Sequence, residues 1–308
     1  MNNRTTRRIL GVVSALLAVL LPALIITAVY SRTSDMAKEE LEDYRLEQKS
    51  FSVNGFKGYF DGEYALITDI VSSPAGAPID ADGFVTIPNQ IGGKDARLTS
   101  ATFNFPATNR NIIRGVSLEE GNQYYVIEDC TLYNKDKTKV LYYFGNDKHI
   151  VIPDSVTEIC DNAYNELNYV ESVDFPDGLE KIDNGAFYRC SIDLITLPDS
   201  VTEVGVFAFG ENYSSEINFS ASLKTIGEYA FNAAWVREIT LPEGLETVDA
   251  NAFAECTNLN TLYLPSTLTS VASSAFYKCD NIQTLTVKCD SSVIADVKEL
   301  SDINASPV

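Results

Sequence analysis

The stretch EGLETVDANAFAEC, from Glu243 to Cys256, carries the clearest pattern in this 308-residue chain. Twenty-three residues later the sequence reads STLTSVASSAFYKC, from Ser266 to Cys279. The large and small apolar residues return in the same order: Leu245, Val248, Ala252, Phe253 and Cys256 are followed by Leu268, Val271, Ala275, Phe276 and Cys279. Self-similarity at such a period indicates stacked copies of one structural unit.

Six copies of the unit align on a tetrad in which an apolar residue, any residue and a second apolar residue precede a proline. The tetrads, 22 or 23 residues apart, end at Pro153, Pro176, Pro198, Ser220 (in place of proline), Pro242 and Pro265. The residue ten positions further on is always alanine, and the next one is aromatic: Tyr164, Phe187, Phe209, Phe231, Phe253 and Phe276. Columns held through six copies are not typical of random apolar runs.

These columns predict a repeat solenoid that is mainly β, with short turns or helical loops and one row of parallel strands. Each unit has a short alternating strand, such as Ile239–Leu241, whose apolar residues face inward. Proline ends the strand because it cannot donate to the sheet. One unit cannot bury its own apolar face, so neighbouring coils must stack, and the aromatic column should fill the centre.

The repeat resembles the BspA-like leucine-rich repeat family of bacterial surface proteins. The segment EDCTLYNKDKTKVLYY, Glu128–Tyr143, is similar to a hairpin insert of that family, with two β-prone runs around a turn at 134–137. The segment Phe84–Phe103 resembles a degenerate first repeat with its proline at Pro88. The resemblance implies a non-catalytic role in adhesion or ligand capture at a bacterial surface.

The composition excludes several classes of function. A formal charge of −20 repels phosphate backbones, so we expect no nucleic-acid partner. His149 is the single histidine, which argues against multi-histidine zinc sites and most catalytic triads. Residues 9–30 contain no charged side chain and follow Arg4, Arg7 and Arg8, which predicts a transmembrane signal-anchor with its N-terminus in the cytoplasm. The alternative is a cleaved signal peptide and a secreted protein.

The predicted organisation has six parts. They are a basic cytoplasmic N-terminus (1–8), a membrane helix (9–30), a stalk or linker (31–59), a degenerate repeat and cap region with the hairpin insert (60–147), the leucine-rich repeats (148–288) and a C-terminal cap or tail (289–308).

The recurring cysteines are interpreted as packing residues. Cys190, Cys256 and Cys279 share a column that also holds Leu, Asn and Ala, and free cysteine behaves as a small buried hydrophobe. Cys256 and Cys279 lie one coil apart, so a disulfide between them stays open as an alternative. We expect no metal site and no cofactor, because a Cys-x-x-Cys pair and a calcium repeat are both absent from the sequence.

The outward positions of the strands form the predicted ligand-binding face. We call this set the ladder; its members are Asp174, Thr196, Glu216, Asn218, Glu238, Thr240, Tyr263 and Thr286. These positions vary from coil to coil while the inward columns do not, which suits recognition of a protein or glycan on a rigid scaffold. Two alternatives remain: a hydrolase with paired carboxylates in 60–147, and a structural spacer without a ligand.

Overall fold

The computed structural model describes residues 50–70, 79–80, 82–99, 102–103, 113–297 and 300. The predicted basic N-terminus, the membrane helix at 9–30 and most of the predicted stalk lie outside the described residues, as do residues 301–308. Within the described part of the chain, no helix is both long and apolar enough to cross a bilayer.

The strands before the regular repeats make two small sheets and a hairpin. In chain order they are β1 (Ser50–Val53), β2 (Phe56–Phe60), β3 (Tyr64–Ile70), β4 (Phe84–Ile87), β5 (Gln90–Ile91), β6 (Lys94–Leu98), β7 (Gly115–Leu118), β8 (Tyr125–Glu128), β9 (Thr131–Asn134) and β10 (Lys139–Tyr143). One sheet has the order β1-β2-β3-β6-β5, and β4 pairs with β7 in parallel. Strands β9 and β10 pair antiparallel, as the two β-prone runs of the insert predict, and β8, which was not predicted, pairs antiparallel with β9.

This region has a hydrophobic core of its own, which the repeat pattern did not predict. Phe51 and Phe56 are buried in it together with Ile67, Val85 and Ile87. Part of the predicted stalk, residues 50–59, therefore contains strand β1 and most of β2. The segment Phe84–Phe103 does begin with a strand that ends before Pro88, but this strand pairs with Gly115–Leu118, 31 residues further on, so its coil is irregular.

The repeats contain two rows of parallel strands instead of the single predicted row. The strands of this part are β11 (His149–Val151), β12 (Glu158–Ile159), β13 (Ser172–Asp174), β14 (Lys181–Ile182), β15 (Leu194–Thr196), β16 (Glu203–Val204), β17 (Glu216–Asn218), β18 (Thr225–Ile226), β19 (Glu238–Thr240), β20 (Thr247–Val248), β21 (Thr261–Leu264), β22 (Ser270–Val271) and β23 (Thr284–Val287). The odd-numbered strands are the predicted row, which separates into the sheets β11-β13, β15-β17 and β19-β21-β23. The even-numbered strands continue from β10 in one nine-stranded sheet with β8 and β9.

The second row arises from the apolar column six positions after the proline. In each two-residue strand the second residue, such as Ile159 or Val248, points into the core, and the first stays at the surface. Equivalent residues of adjacent coils are direct partners, as Ile182 is to Val204. The 22-residue period therefore sets the register of this sheet.

An aromatic stack runs along the centre of the repeats, as predicted. The rings of Phe209, Phe231 and Phe253 are parallel to within 9°, with centroids 5.5 and 5.6 Å apart, and each is at most 1% exposed. Tyr164, Phe187 and Phe276 continue the stack. The alanine column lies beside it, fully buried, and the alanine carbonyls accept hydrogen bonds from the aromatic residues of the preceding coil.

The last coil is covered by the segment that follows it. A short 3-10 helix, Ser291–Ile294, is capped at its N-terminus by Asp290, whose carboxylate accepts a hydrogen bond from the Ser292 N–H. Ile294, Val297 and Leu300 are buried against the repeat core. This segment thus acts as a C-terminal cap, which a solenoid needs to shield its final apolar face.

Candidate binding surface

The ladder lies on the outer side of the predicted strand row. Asp174, Thr196, Glu216, Asn218, Glu238 and Thr240 are exposed, and Tyr263 and Thr286 are half-buried. Parallel register makes Thr196 and Asn218 direct neighbours and aligns Thr240, Tyr263 and Thr286. Because the row is divided into three sheets, the structure groups ladder residues in short sets and does not place them in one continuous sheet.

Polar contacts link ladder residues within these sets. The Asn218 amide donates to the Thr196 hydroxyl and to the Glu216 carboxylate, each at 3.2 Å. The Tyr263 hydroxyl and Ser266 both donate to Glu243, and these hydrogen bonds, that of Ser266 above all, lower the pKa of its carboxyl group. Such contacts restrain these side chains on the outer face.

Sequence reasoning left His149 out of the ladder. It begins strand β11, where its imidazole lies 2.7 Å from the Ser172 hydroxyl and 3.2 Å from the Asp174 carboxylate. The signal was available in the sequence, because His149 occupies the same repeat position as Glu216 and Glu238. Asp174 therefore contacts a side chain of the preceding coil, that of His149.

Two exposed aromatic residues beside the row were also missed. Tyr213 is 51% exposed and Trp235 is 58% exposed, and their ring centroids are 5.6 Å apart. Each stands three residues before the first ladder position of its coil, Glu216 and Glu238 respectively. Their 22-residue separation was the available signal, since it places them in one column of adjacent coils.

A cleft of about 580 Å³ opens where the hairpin meets the first repeats. Its walls include the aromatic residues Tyr143 and Tyr169 and the cationic residues Arg114 and Arg189. Glu166 is the one carboxylate among the described residues that line it. A glycosidase of the usual kind needs two facing carboxylates, so this lining does not supply the arrangement that the hydrolase alternative requires.

The cysteines behave as buried packing groups with a defined hydrogen bond. All six cysteines lie within the described residues and none of them is in a disulfide, so the structure does not form the Cys256–Cys279 bond that the spacing left open. The recurring cysteines donate to the backbone carbonyl of an aromatic-column residue one coil earlier: Cys190 to Tyr164, Cys256 to Phe231 and Cys279 to Phe253. Burial raises the pKa of the Cys256 thiol, which keeps it protonated and unreactive.

One cluster of possible metal ligands occurs in the described part of the chain, formed by Glu158, Cys160 and Asp183. Both carboxylates already have partners, since Lys139 lies 2.6 Å from Glu158 and Lys181 lies 2.7 Å from Asp183. Burial raises the pKa of Cys160 to about 12, so its thiol is not ionised near neutrality. A metal would have to displace two lysines and a proton, and the cluster is better described as a pair of ion pairs beside a buried thiol.

The two strand rows, the aromatic stack and the stacked coils define the class of protein: a β-solenoid of the leucine-rich repeat type. The chain belongs to the BspA-type leucine-rich repeat family, whose model matches six copies over residues 137–247 and 232–299. This confirms the family resemblance found in the sequence. No curated protein matches the sequence.

Several solved structures of bacterial proteins are similar to this chain. A leucine-rich repeat protein from Eubacterium ventriosum ATCC 27560 is 22% identical, with a TM-score of 0.56 over 67% of this chain and 55% of its own. The pneumococcal vaccine antigen PcpA is 18% identical, with a TM-score of 0.48 over 73% of this chain and 54% of its own. The T. pallidum protein TpLRR is 19% identical, with a TM-score of 0.39 over 84% of this chain and all of its own. This chain thus spans about half the length of the first two.

Proposed function

We propose that this chain is a non-catalytic binding protein that uses the ladder to hold a protein or glycan at a bacterial cell surface. The observation that carries the proposal is a contrast between the two sides of one strand row. The inward positions repeat with little variation and are buried, whereas the outward positions differ from coil to coil and are mostly exposed. A fixed scaffold that presents variable side chains suits recognition.

The same proposal includes attachment to the membrane. The uncharged run at 9–30, preceded by three arginines, supports a signal-anchor that leaves the repeats outside the cell. The net charge of −20 supports a partner that is not a nucleic acid. The membership in a family of repeat proteins and the single carboxylate in the described lining of the cleft support a role without catalysis.

The test is a screen of the full chain in detergent micelles against arrays of bacterial and host proteins and glycans. Replacing Asp174, Glu216 and Glu238 together by lysine should abolish binding to the hits, because the exposed face changes sign. The matched control replaces three exposed acids outside the ladder, Glu203, Glu228 and Asp280, by lysine and should keep the hits. A screen without hits, or equal binding by both triple variants, would contradict the proposal.

A further inference from the structure

Tyr213 and Trp235 form an exposed aromatic pair whose position the repeat does not require. Their backbones are stacked coil on coil, since the Trp235 N–H donates to the Ser214 carbonyl at 2.9 Å. The equivalent column elsewhere holds mainly small polar residues: Asn146, Tyr169, Ser191, Asn258 and Asn281. Tryptophan is usually well buried in a monomer, so a half-exposed pair of this kind marks an interaction site.

The pair stands within an acidic and partly apolar patch. Leu194 is 49% exposed and is the direct strand partner of Glu216. Asp193 lies in the same patch, because its backbone carbonyl accepts a hydrogen bond from the Glu216 N–H. With Glu238 the patch holds three exposed carboxylates, against which Arg237 is one exposed cation. The sum of three negative charges and one positive charge leaves the patch negative.

The ring geometry favours a cationic partner over a sugar chain. The two ring planes meet at 66°, so they form a corner and do not present one flat platform. A sugar chain stacks best on coplanar rings, whereas non-coplanar rings can surround a cation with their electron-rich faces. The neighbouring carboxylates add attraction for a cation and offer no comparable gain to a neutral sugar.

We infer that the corner of Tyr213 and Trp235, flanked by Glu216 and Glu238, binds a lysine or arginine side chain of a basic segment in a partner protein. Leu194 then covers an apolar residue next to that cation. This inference rests on the proposed binding function and narrows its partner class to a protein with a basic, partly apolar segment. The association is favoured by the net charge of the chain as well as by the local contacts.

The single tryptophan makes a direct test available. The full chain is titrated with a peptide of alternating arginine and leucine, and with a matched peptide that has glutamine in place of arginine. The fluorescence of Trp235 should shift with the basic peptide only, and the affinity should fall as salt is raised. Calorimetry on Trp235→Ala and on Tyr213→Ser should show affinity losses on the order of tenfold.

Control variants keep the test specific. Tyr277 is 48% exposed in another coil, so Tyr277→Ala should bind the basic peptide as the unaltered chain does. Glu216→Gln with Glu238→Gln should weaken binding while urea unfolding stays unchanged. Equal binding of the two peptides, unaltered affinity of Trp235→Ala, or a Trp235 shift with neutral chitohexaose but not with the basic peptide would overturn the inference.

The two proposals fail in different ways. If the array screen gives hits that depend on the ladder but none that depends on Trp235, the binding function stands and the basic-partner inference is wrong. If the screen gives no hits, the binding function is contradicted, while the peptide titration still reports separately on the aromatic corner.

Discussion

At the scale of single residues, the recurrence of cysteine in one column is explained by a hydrogen bond and not by the reactivity of the thiol. Its members lie where a side chain can reach the carbonyl of the aromatic residue one coil earlier, and the thiols of Cys190, Cys256 and Cys279 donate there. Asn212 fills the same column, and its amide donates to the Phe187 carbonyl at 2.6 Å. The column therefore selects small groups with a donor, although it also accepts Leu167 and Ala234.

This explanation predicts the effect of changing Asn212. In Asn212→Leu the Phe187 carbonyl loses its side-chain donor, although the Cys190 N–H still donates to it at 3.3 Å, and the Ile192 N–H loses the Asn212 acceptor. The free energy of unfolding should therefore fall by about 1–3 kcal/mol. Asn212→Cys keeps a side-chain donor for the carbonyl, so its free energy of unfolding should fall by less. Urea unfolding of the two variants provides the measurement, and equal losses would show that the hydrogen bond does not govern the column.

At the scale of elements, the coils are held together by several rows of contacts at once. The aromatic residues stack, and the even-numbered strands of the repeats, β12 to β22, pair in parallel. Backbone hydrogen bonds also join the turns that carry the alanine column. The coils approach closely at Gly205 and Gly227, where an added Cβ on Gly227 would lie 2.8 Å from the Gly205 backbone. Glycine is needed there because no side chain fits between the coils.

The aromatic stack should dominate the stability of each coil. Phe231→Ala removes a ring packed between Phe209 and Phe253 and should lower the free energy of unfolding by about 3–5 kcal/mol. Tyr277→Ala removes an exposed ring and should change stability by less than about 0.5 kcal/mol. Thermal or urea unfolding of both variants tests this expectation, and similar losses would contradict the central role of the stack.

At the scale of the whole molecule, the repeats form a solenoid in which each coil contacts its neighbours through equivalent positions. The period of 22 or 23 residues is therefore a structural unit that can be removed only as a whole. The two ends differ, because a separate core and a hairpin precede the first coil and a short cap follows the last.

Deletion of one unit should thus leave a folded protein. Removing residues 199–220 joins Pro198 to Ala221 and brings Phe231 next to Phe187 in the stack, so circular dichroism should keep its β-sheet signal with somewhat lower stability. Removing residues 199–209 puts the columns out of phase, and the coils after the deletion should not fold. If both deletions gave equally folded proteins, the period would not be the unit of assembly.

The sequence was sufficient for several features that depend on a repeated apolar position. The columns gave the number of coils, the inward residues Ile239 and Leu241, and the aromatic stack, because burial in each coil demands the same residue type at the same place. The hairpin was predicted as well, since its two strands are β-prone runs separated by a turn. The exposed positions of the ladder followed from strand alternation.

Other features could not be predicted, because contacts between coils created them. The even-numbered strands of the repeats, β12 to β22, have two residues each, which is too short for a periodic signal. The core around Phe51 and Phe56 joins segments that share no repeat. The cleft beside Tyr169 depends on how loops of different coils come together.

Backbone conformation gives the clearest case of a feature that only contacts between coils decided. The residue before the cysteine column is left-handed in all six copies, with φ between 55° and 62°, yet glycine never occupies it; the residues are Glu166, Arg189, Glu211, Ala233, Glu255 and Lys278. In the five copies before the last, its N–H donates to the next coil, as from Glu255 to the Tyr277 carbonyl at 2.7 Å. The local sequence established which side of each coil is apolar, but a hydrogen bond from the neighbouring coil imposed this turn against the local preference, at a cost of roughly 1–2 kcal/mol per residue.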